Sequence, residues 1–281
     1  MKLQRLLNIS RTRFWIYVLG TFVVGVIAAG DPRLLNTETM LVLLVLFVFF
    51  SFPANLLIYG VNDIYDYETD KHNPKKIEYE ELVGPKDQSM LWKWIAVVTL
   101  PFVVVSLWMP AYAIAALFIF LFTAIYYSAT PIRAKAKPPL DIIFSSIIYI
   151  SPAVIGFFTT GNTNISWLAI LGGLLWAMAM QTYSAVPDIA SDTQGGVKTL
   201  ATLLGRNAAL WFCLIAYALA TAIGFILLGW IPLILGLIYL AMVITAMVQP
   251  EKTFWIYKKF PIVNTVFGMI LFFLLVARFL A

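Results

Sequence analysis

Long apolar runs broken by short polar stretches set the rhythm of this chain. About nine stand out, at residues 14–30, 39–61, 92–109, 111–127, 141–159, 165–186, 208–229, 231–248 and 260–280, and each approaches the roughly 20 apolar residues that a helix needs to cross a bilayer. The breaks alternate in character. On one side are tight turns such as Met109-Pro110 and Gly229-Trp230-Ile231-Pro232; on the other, three long polar connections cover 62–91, 128–140 and 187–207. This pattern predicts an all-α integral membrane protein with about nine transmembrane helices. No low-complexity tract or hinge divides the chain, so the expectation is a single polytopic domain over 1–281. The first run follows Lys2, Arg5, Arg11 and Arg13 and ends in Ala28-Ala29-Gly30, the layout of a cleaved signal peptide. The eight spans after it favour a retained first helix instead.

Composition agrees with the pattern: 62% of residues are apolar, 12% are charged and the mean hydropathy is +0.89, far from a soluble domain. Charge adds orientation, because Lys and Arg near helix ends favour the cytoplasmic side. With the N-terminus inside, the inner segments hold Lys2, Arg5, Arg11 and Arg13, then Lys71, Lys75, Lys76, Lys86 and Lys93, then Arg133, Lys135 and Lys137, then Lys198 and Arg206, then Lys252, Lys258 and Lys259. Only Arg33 and Arg278 fall outside. The expected setting is a multi-pass protein of the cell (inner) membrane with its N-terminus and polar connections cytoplasmic. Topology thereby explains the net charge of +5 and the pI near 9.2, and a nucleic-acid partner is not needed. The single cysteine, Cys213, lies in an apolar run and reads as packing.

Against this apolar background, two acidic clusters are anomalous. In "LIYGVNDIYDYETDKHNPKK" the residues Asn62, Asp63, Asp66 and Asp70 follow an apolar run, and in "MQTYSAVPDIASDTQGGVKTLATLLG" Asp188 and Asp192 follow another. Asn55 and Gln181 precede the two clusters in similar places. If the first helix continues, Asp63, Asp66 and Asp70 fall within an arc of about 60°, while Asp188 and Asp192 lie about 40° apart. The second cluster comes four helices after the first, which suggests two four-helix halves plus a ninth helix, with both acidic ends offered to a central cavity open to the cytoplasmic side.

Solvated loop charge suffices for Glu78, Glu80 and Glu81, but it explains the two clusters poorly. Carboxylates gathered near hydrocarbon repel one another and shift toward protonation unless a cation binds. Oxygen donors without His or Cys favour a hard ion such as Mg, commonly held by a few carboxylates plus substrate phosphates. Phosphate in turn calls for basic side chains, and Arg133, Lys135 and Lys137 in "YYSATPIRAKAKPPLD" and Lys198 in "QGGVKT" supply them. Arg11 and Arg13 are weaker candidates for that role, and His72, the only histidine, reads as a surface residue.

These residues resemble the UbiA family of intramembrane prenyltransferases. Asn62, Asp63, Asp66 and Asp70 match its NDxxDxxxD pattern, Asp188 and Asp192 its DxxxD pattern, and the "YS" before Pro131, Arg133 and Lys135 and the "GGVKT" after the second motif agree as well. The resemblance implies Mg-dependent transfer of a prenyl group from an allylic diphosphate to a lipophilic acceptor. It assigns Asn62, Asp66, Asp70, Asp188 and Asp192 to Mg, with Asp63 supporting that shell, and Asn62, Arg133, Lys135 and Lys198 to the diphosphate. Breaking an allylic carbon–oxygen bond leaves a carbocation and a diphosphate, so catalysis needs charge neutralisation at the leaving group and a dry pocket. Aromatic faces can stabilise such a cation, and Tyr126, Tyr127, Trp176 and Tyr183 stand near the expected cavity end, although helix packing explains any one of them as well.

The acceptor is narrowed by a departure. Quinone-pathway members carry an Arg-Pro element after the first motif, where this chain has "DKHNPKKIEYEELVGPKD". The "NPKK" and "SDTQGGVKT" strings are similar to the lycopene elongase branch, which implies a carotenoid acceptor, with an aromatic or quinone precursor as the alternative. A secondary transporter is a distant third reading, since transporter sites lie near the bilayer midplane on interrupted helices and these motifs lie at helix ends.

Overall fold

The computed structural model describes residues 1–30, 35–70 and 81–280. Every regular element among the described residues is a helix: α1 (Leu3–Ile9), α2 (Trp15–Ala28), α3 (Thr37–Tyr65), α4 (Tyr67–Asp70), α5 (Pro85–Val105), α6 (Ala111–Tyr126), α7 (Leu140–Thr159), α8 (Trp167–Ala185), α9 (Ile189–Gln194), α10 (Leu200–Leu228), α11 (Trp230–Val248), α12 (Thr253–Tyr257) and α13 (Phe260–Leu280). Each apolar run of the sequence has its helix, but not every one is long enough to pass as a span. Among the described residues, seven helices are long and apolar enough to cross a membrane, or eight if the pair Leu3–Ile9 and Thr12–Ala28, bent by 45° at its break, counts as one span. The run at 111–127 forms only the 16 residues of α6, about 24 Å at the usual rise against a hydrocarbon core of roughly 30 Å. Pro110 precedes it and a turn closed by Ala129 N–H on the Ile125 carbonyl ends it.

The chain packs as two compact units, one of residues 1–133, 151–165 and 274–281 and one of 134–150 and 166–273. The units do not follow the expected succession of four-helix halves, because α7 contributes its start to one and its end to the other.

In the first unit, α3 runs 29 residues, about 44 Å, so it reaches past the apolar core. Asn36 caps it by accepting the Thr39 N–H at 2.8 Å. Met40, Leu41, Leu44, Phe47 and Val48 are exposed at helical spacing in its first half, a lipid-facing stripe, whereas Pro53 through Val61 are all buried. The half that leads to the acidic motif is therefore enclosed by protein. In lipid, packing rather than water exclusion holds helices together, and here Phe50 meets Phe22 at 5.0 Å and Phe120 edge-on at 5.4 Å. Close approach depends on glycine: a Cβ at Gly25 would strike the Ala153 carbonyl, and one at Gly156 the Phe22 carbonyl.

In the second unit, α10 packs between α8 and α11. Tyr217 stacks on Tyr239 at 4.8 Å, and Tyr183 packs on Phe260 at 4.8 Å. Cys213 is fully buried with its thiol on the Ala179 carbonyl, the packing role expected of it. Trp211, Ile215 and Leu219, four residues apart, are exposed on the outward face of α10. Near its start α10 is kinked at Gly205, whose φ of 73° is outside the helical range and suits glycine.

Candidate active site

The first motif sits where α3 ends. Its last turn closes with the Asp66 N–H on the Asn62 carbonyl at 3.0 Å, and Asp66 itself leaves the helix at φ −105°, ψ 2°, the sparsely used bridge region in which active-site residues often stand. The expected single helix through Asp70 is thus interrupted, and Asp70 instead ends the short helix α4. The end of α3 is pinned by Gln88, whose amide donates to the Ile64 carbonyl at 3.0 Å, and by Asn62, whose amide donates to Ser128 Oγ at 3.1 Å. Ser128 belongs to the "YS" string, and its contact with Asn62 gives that string a physical purpose.

Asp63 and Asp66 are almost wholly buried, at 3% and 4% exposure. Each faces an arginine. Arg11 Nη2 lies 2.8 Å from Asp63 Oδ1, with its guanidinium carbon 4.6 Å from the centre of the Tyr59 ring. Arg133 Nη2 lies 3.7 Å from Asp66 Oδ1, beyond direct hydrogen-bonding distance, and its Nε is buried with no hydrogen-bond partner. A buried donor left over in this way costs free energy until an acceptor meets it, and the Nε of Arg11 is buried likewise. Arg11, the weaker candidate for substrate phosphate, is therefore engaged with a motif carboxylate. Glu81 is not merely solvated: it accepts from Asn8 Nδ2 at 3.0 Å and pairs with Arg5 at 3.5 Å. Lys71, His72, Lys75, Lys76, Glu78, Glu80 and Arg33, along with most of the "NPKK" region, lie outside the described residues.

The second motif is built by a helix stop. Pro187 opens the 3-10 turn Val186–Asp188, α9 follows over Ile189–Gln194, and Asp188 and Asp192 are half-buried. Gly196 then takes φ 68°, its N–H reaching the Thr193 carbonyl while the Val197 N–H reaches that of Asp192. This is the Schellman closure that a left-handed glycine permits, and it fixes where the exposed Lys198 emerges. Thr199 caps α10 in a reciprocal box with Thr202. Asp141, which sequence reasoning missed, accepts the Leu200 N–H at 2.7 Å and is 3% exposed. Its signal was an acid just after Pro138-Pro139 at the opening of an apolar run. Lys135 stands half-buried in the single turn Ala134–Ala136.

Tyr183 is fully buried with its hydroxyl donating to the Thr253 carbonyl at 3.3 Å, and Trp176 packs against the same core, the helix packing that also explains such aromatics. Asn55, the polar residue before the first motif, is fully buried and turns its amide back onto the Phe50 and Ser51 carbonyls beside Pro53.

Among the described residues, no three His, Cys, Asp or Glu side chains form a ready metal cage. The residues that the resemblance assigns to Mg, Asn62, Asp63, Asp66, Asp70, Asp188 and Asp192, offer only hard oxygen donors, the type that Mg takes.

The model of the UbiA prenyltransferase family matches residues 17–260. The chain belongs to that family. This UbiA prenyltransferase is 36% identical to the lycopene elongase/hydratase of Haloarcula japonica over 94% of its own length and 88% of the relative's. It is 35% identical to that of Halobacterium salinarum over 93% of both. Its fold matches a UbiA homologue from Archaeoglobus fulgidus, solved with GPP and Mg2+, at TM-score 0.72 and 17% identity, over 96% of this chain and 99% of that one. The same protein solved with DMAPP and Mg2+ gives 0.70 at 16%, with the same coverage. The chain is an all-helical, multi-pass membrane prenyltransferase, and the transporter reading falls away.

Proposed function

We propose that this prenyltransferase adds a C5 unit from dimethylallyl diphosphate to the end of a carotenoid of the lycopene type. One observation carries the acceptor: relatives bearing the lycopene elongase name align with more than nine-tenths of the chain. The missing Arg-Pro element after the first motif supports the same reading.

In this reading Asn62, Asp66, Asp70, Asp188 and Asp192 hold Mg together with the donor diphosphate, and bound Mg supplies charge neutralisation for the leaving group. Arg133, with its buried Nε–H, donates to a diphosphate oxygen, and Lys135 and Lys198 add positive charge from their loops. The apolar helix walls exclude water from the allylic cation. The acceptor's terminal alkene attacks that cation, and the new tertiary cation loses a proton, for which the departing diphosphate is a sufficient base, or captures water. The chain acts as one domain of nine crossings, counting the bent first pair and the short α6, with both motifs cytoplasmic in the cell membrane.

Membranes containing the protein, given Mg, labelled dimethylallyl diphosphate and lycopene, are expected to yield a pigment heavier by one or two C5 units, with or without added water. Unchanged lycopene together with prenylation of an added hydroxybenzoate would reject the carotenoid acceptor in favour of an aromatic one.

A further inference from the structure

Among the described residues, two that are not glycine adopt a left-handed backbone, Arg11 at φ 53° and Arg133 at φ 47°. Both are arginines, and each sets its guanidinium against a buried carboxylate of the first motif. Residues with side chains rarely adopt this conformation, and where they do, the surroundings hold them there, often at functional sites.

The two pairs differ in a way that separates their work. Arg11 and Asp63 are closed in a direct hydrogen bond at 2.8 Å, with side-chain exposures of 13% and 2%. At 3.7 Å, Arg133 and Asp66 form an ion pair without a direct hydrogen bond. Arg11 also stands at the break between α1 and the turn Thr12–Phe14 that leads into α2, and its guanidinium covers Tyr59, one turn before Asp63 on α3. The closed pair therefore fastens the bend of the N-terminal segment to the last turn of α3, the turn that presents Asn62 and Asp66. A metal ion approaching Asp63 would meet a guanidinium already seated on that carboxylate, and like charges repel strongly where solvent is excluded.

We infer that Arg11 and Asp63 are positioning residues, a buried latch that sets the end of α3, and that Asp63 stands outside the metal shell. The inference rests on the proposed role of Asn62 and Asp66 in holding Mg and diphosphate.

A double-mutant cycle tests it. Arg11→Asn keeps a residue that tolerates the left-handed region but removes the guanidinium, Asp63→Asn removes the charge, and the two are combined. Each single variant is expected to lower kcat while leaving the half-saturating Mg concentration and the donor KM near wild type. The double variant should recover about tenfold over the product of the singles, a coupling expected of groups in contact. Arg11→Lys, which keeps the charge, should fold and fall between wild type and Arg11→Asn, which covers the case in which a lone buried charge prevents folding. A raised Mg requirement in Asp63→Asn, with or without the Arg11 change, would make Asp63 a metal ligand. A raised donor KM confined to Arg11→Asn would return Arg11 to the diphosphate. The same cycle followed by thermal unfolding without Mg or donor should show coupling of the same sign, and additivity there would overturn the latch. If the wild-type protein releases no diphosphate from dimethylallyl diphosphate, the proposed function fails while the thermal cycle still decides the latch.

Discussion

At the scale of single residues, Asp66 and Arg133 carry the sharpest expectation. Asp66 is the carboxylate at which the helix stops, and the bridge-region backbone aims it without the constraint of a further helical bond. Asp66→Asn keeps the shape and removes the charge that a metal and a developing diphosphate need. Turnover should fall by about 100-fold or more, the usual effect of removing one preorganised group from a site of developing charge, with far-ultraviolet circular dichroism unchanged. Arg133→Lys should fail to rescue Arg133→Ala fully, because an ammonium cannot reproduce the guanidinium fork; the readout is donor KM. Near-wild-type activity in Asp66→Asn at ordinary Mg would remove that residue from the metal shell.

At the scale of elements, Asp141 and α10 belong together. A carboxylate at the start of α7 accepts the N–H of the first residue of α10, so it answers one of the unpaired donors at that helix start and favours the positive end of its dipole. The contact fixes the segment two residues beyond Lys198. Asp141→Ala should cost about 1–2 kcal/mol, read as a drop of about 2–4 °C in detergent-solubilised thermal unfolding, and Asp141→Asn should restore most of it by keeping an acceptor. The outcome that sinks this assignment is an unchanged melting temperature in Asp141→Ala. The apolar runs located the helices but not all of their ends: α5 begins at Pro85 and α10 at Leu200, inside the connections read as 62–91 and 187–207, because Pro85 and the Thr199 cap start those helices within polar sequence that hydropathy does not count. The interruption at Asp66 was not legible, because no glycine or proline marks it, and it is pinned by Gln88 from α5 and Ser128 from the turn after α6.

At the scale of the whole molecule, the testable matter is sidedness. In the first unit, Arg5 pairs with Asp87 at 2.7 Å, and Arg11 and Arg133 meet the end of α3, so basic residues of two separate segments meet acidic ones near the end of α3. The positive-inside rule leads to the expectation that this end faces the cytoplasm. Cysteines introduced at positions 88 and 194 should react with an impermeant reagent only after the cells are opened, and Cys213, fully buried, should stay silent as background. Labelling of either position in intact cells would invert the orientation.

The amino-acid pattern alone determined the membrane setting, the helical class and the two acidic motifs, because apolar length and carboxylate spacing are properties of a contiguous stretch. Family membership followed from the same strings. The tertiary structure decided the partners. Arg11 reaching Asp63, Ser128 reaching Asn62 and Asp141 reaching Leu200 join residues separated by more than fifty positions, and no local periodicity encodes which distant polar group will meet a buried charge. It also decided the shape of the first span, where the chain bends by 45° between Leu3–Ile9 and Thr12–Ala28. Burial of Asp63 and Asp66 required neighbours from several helices, and those neighbours exist only once the chain has packed.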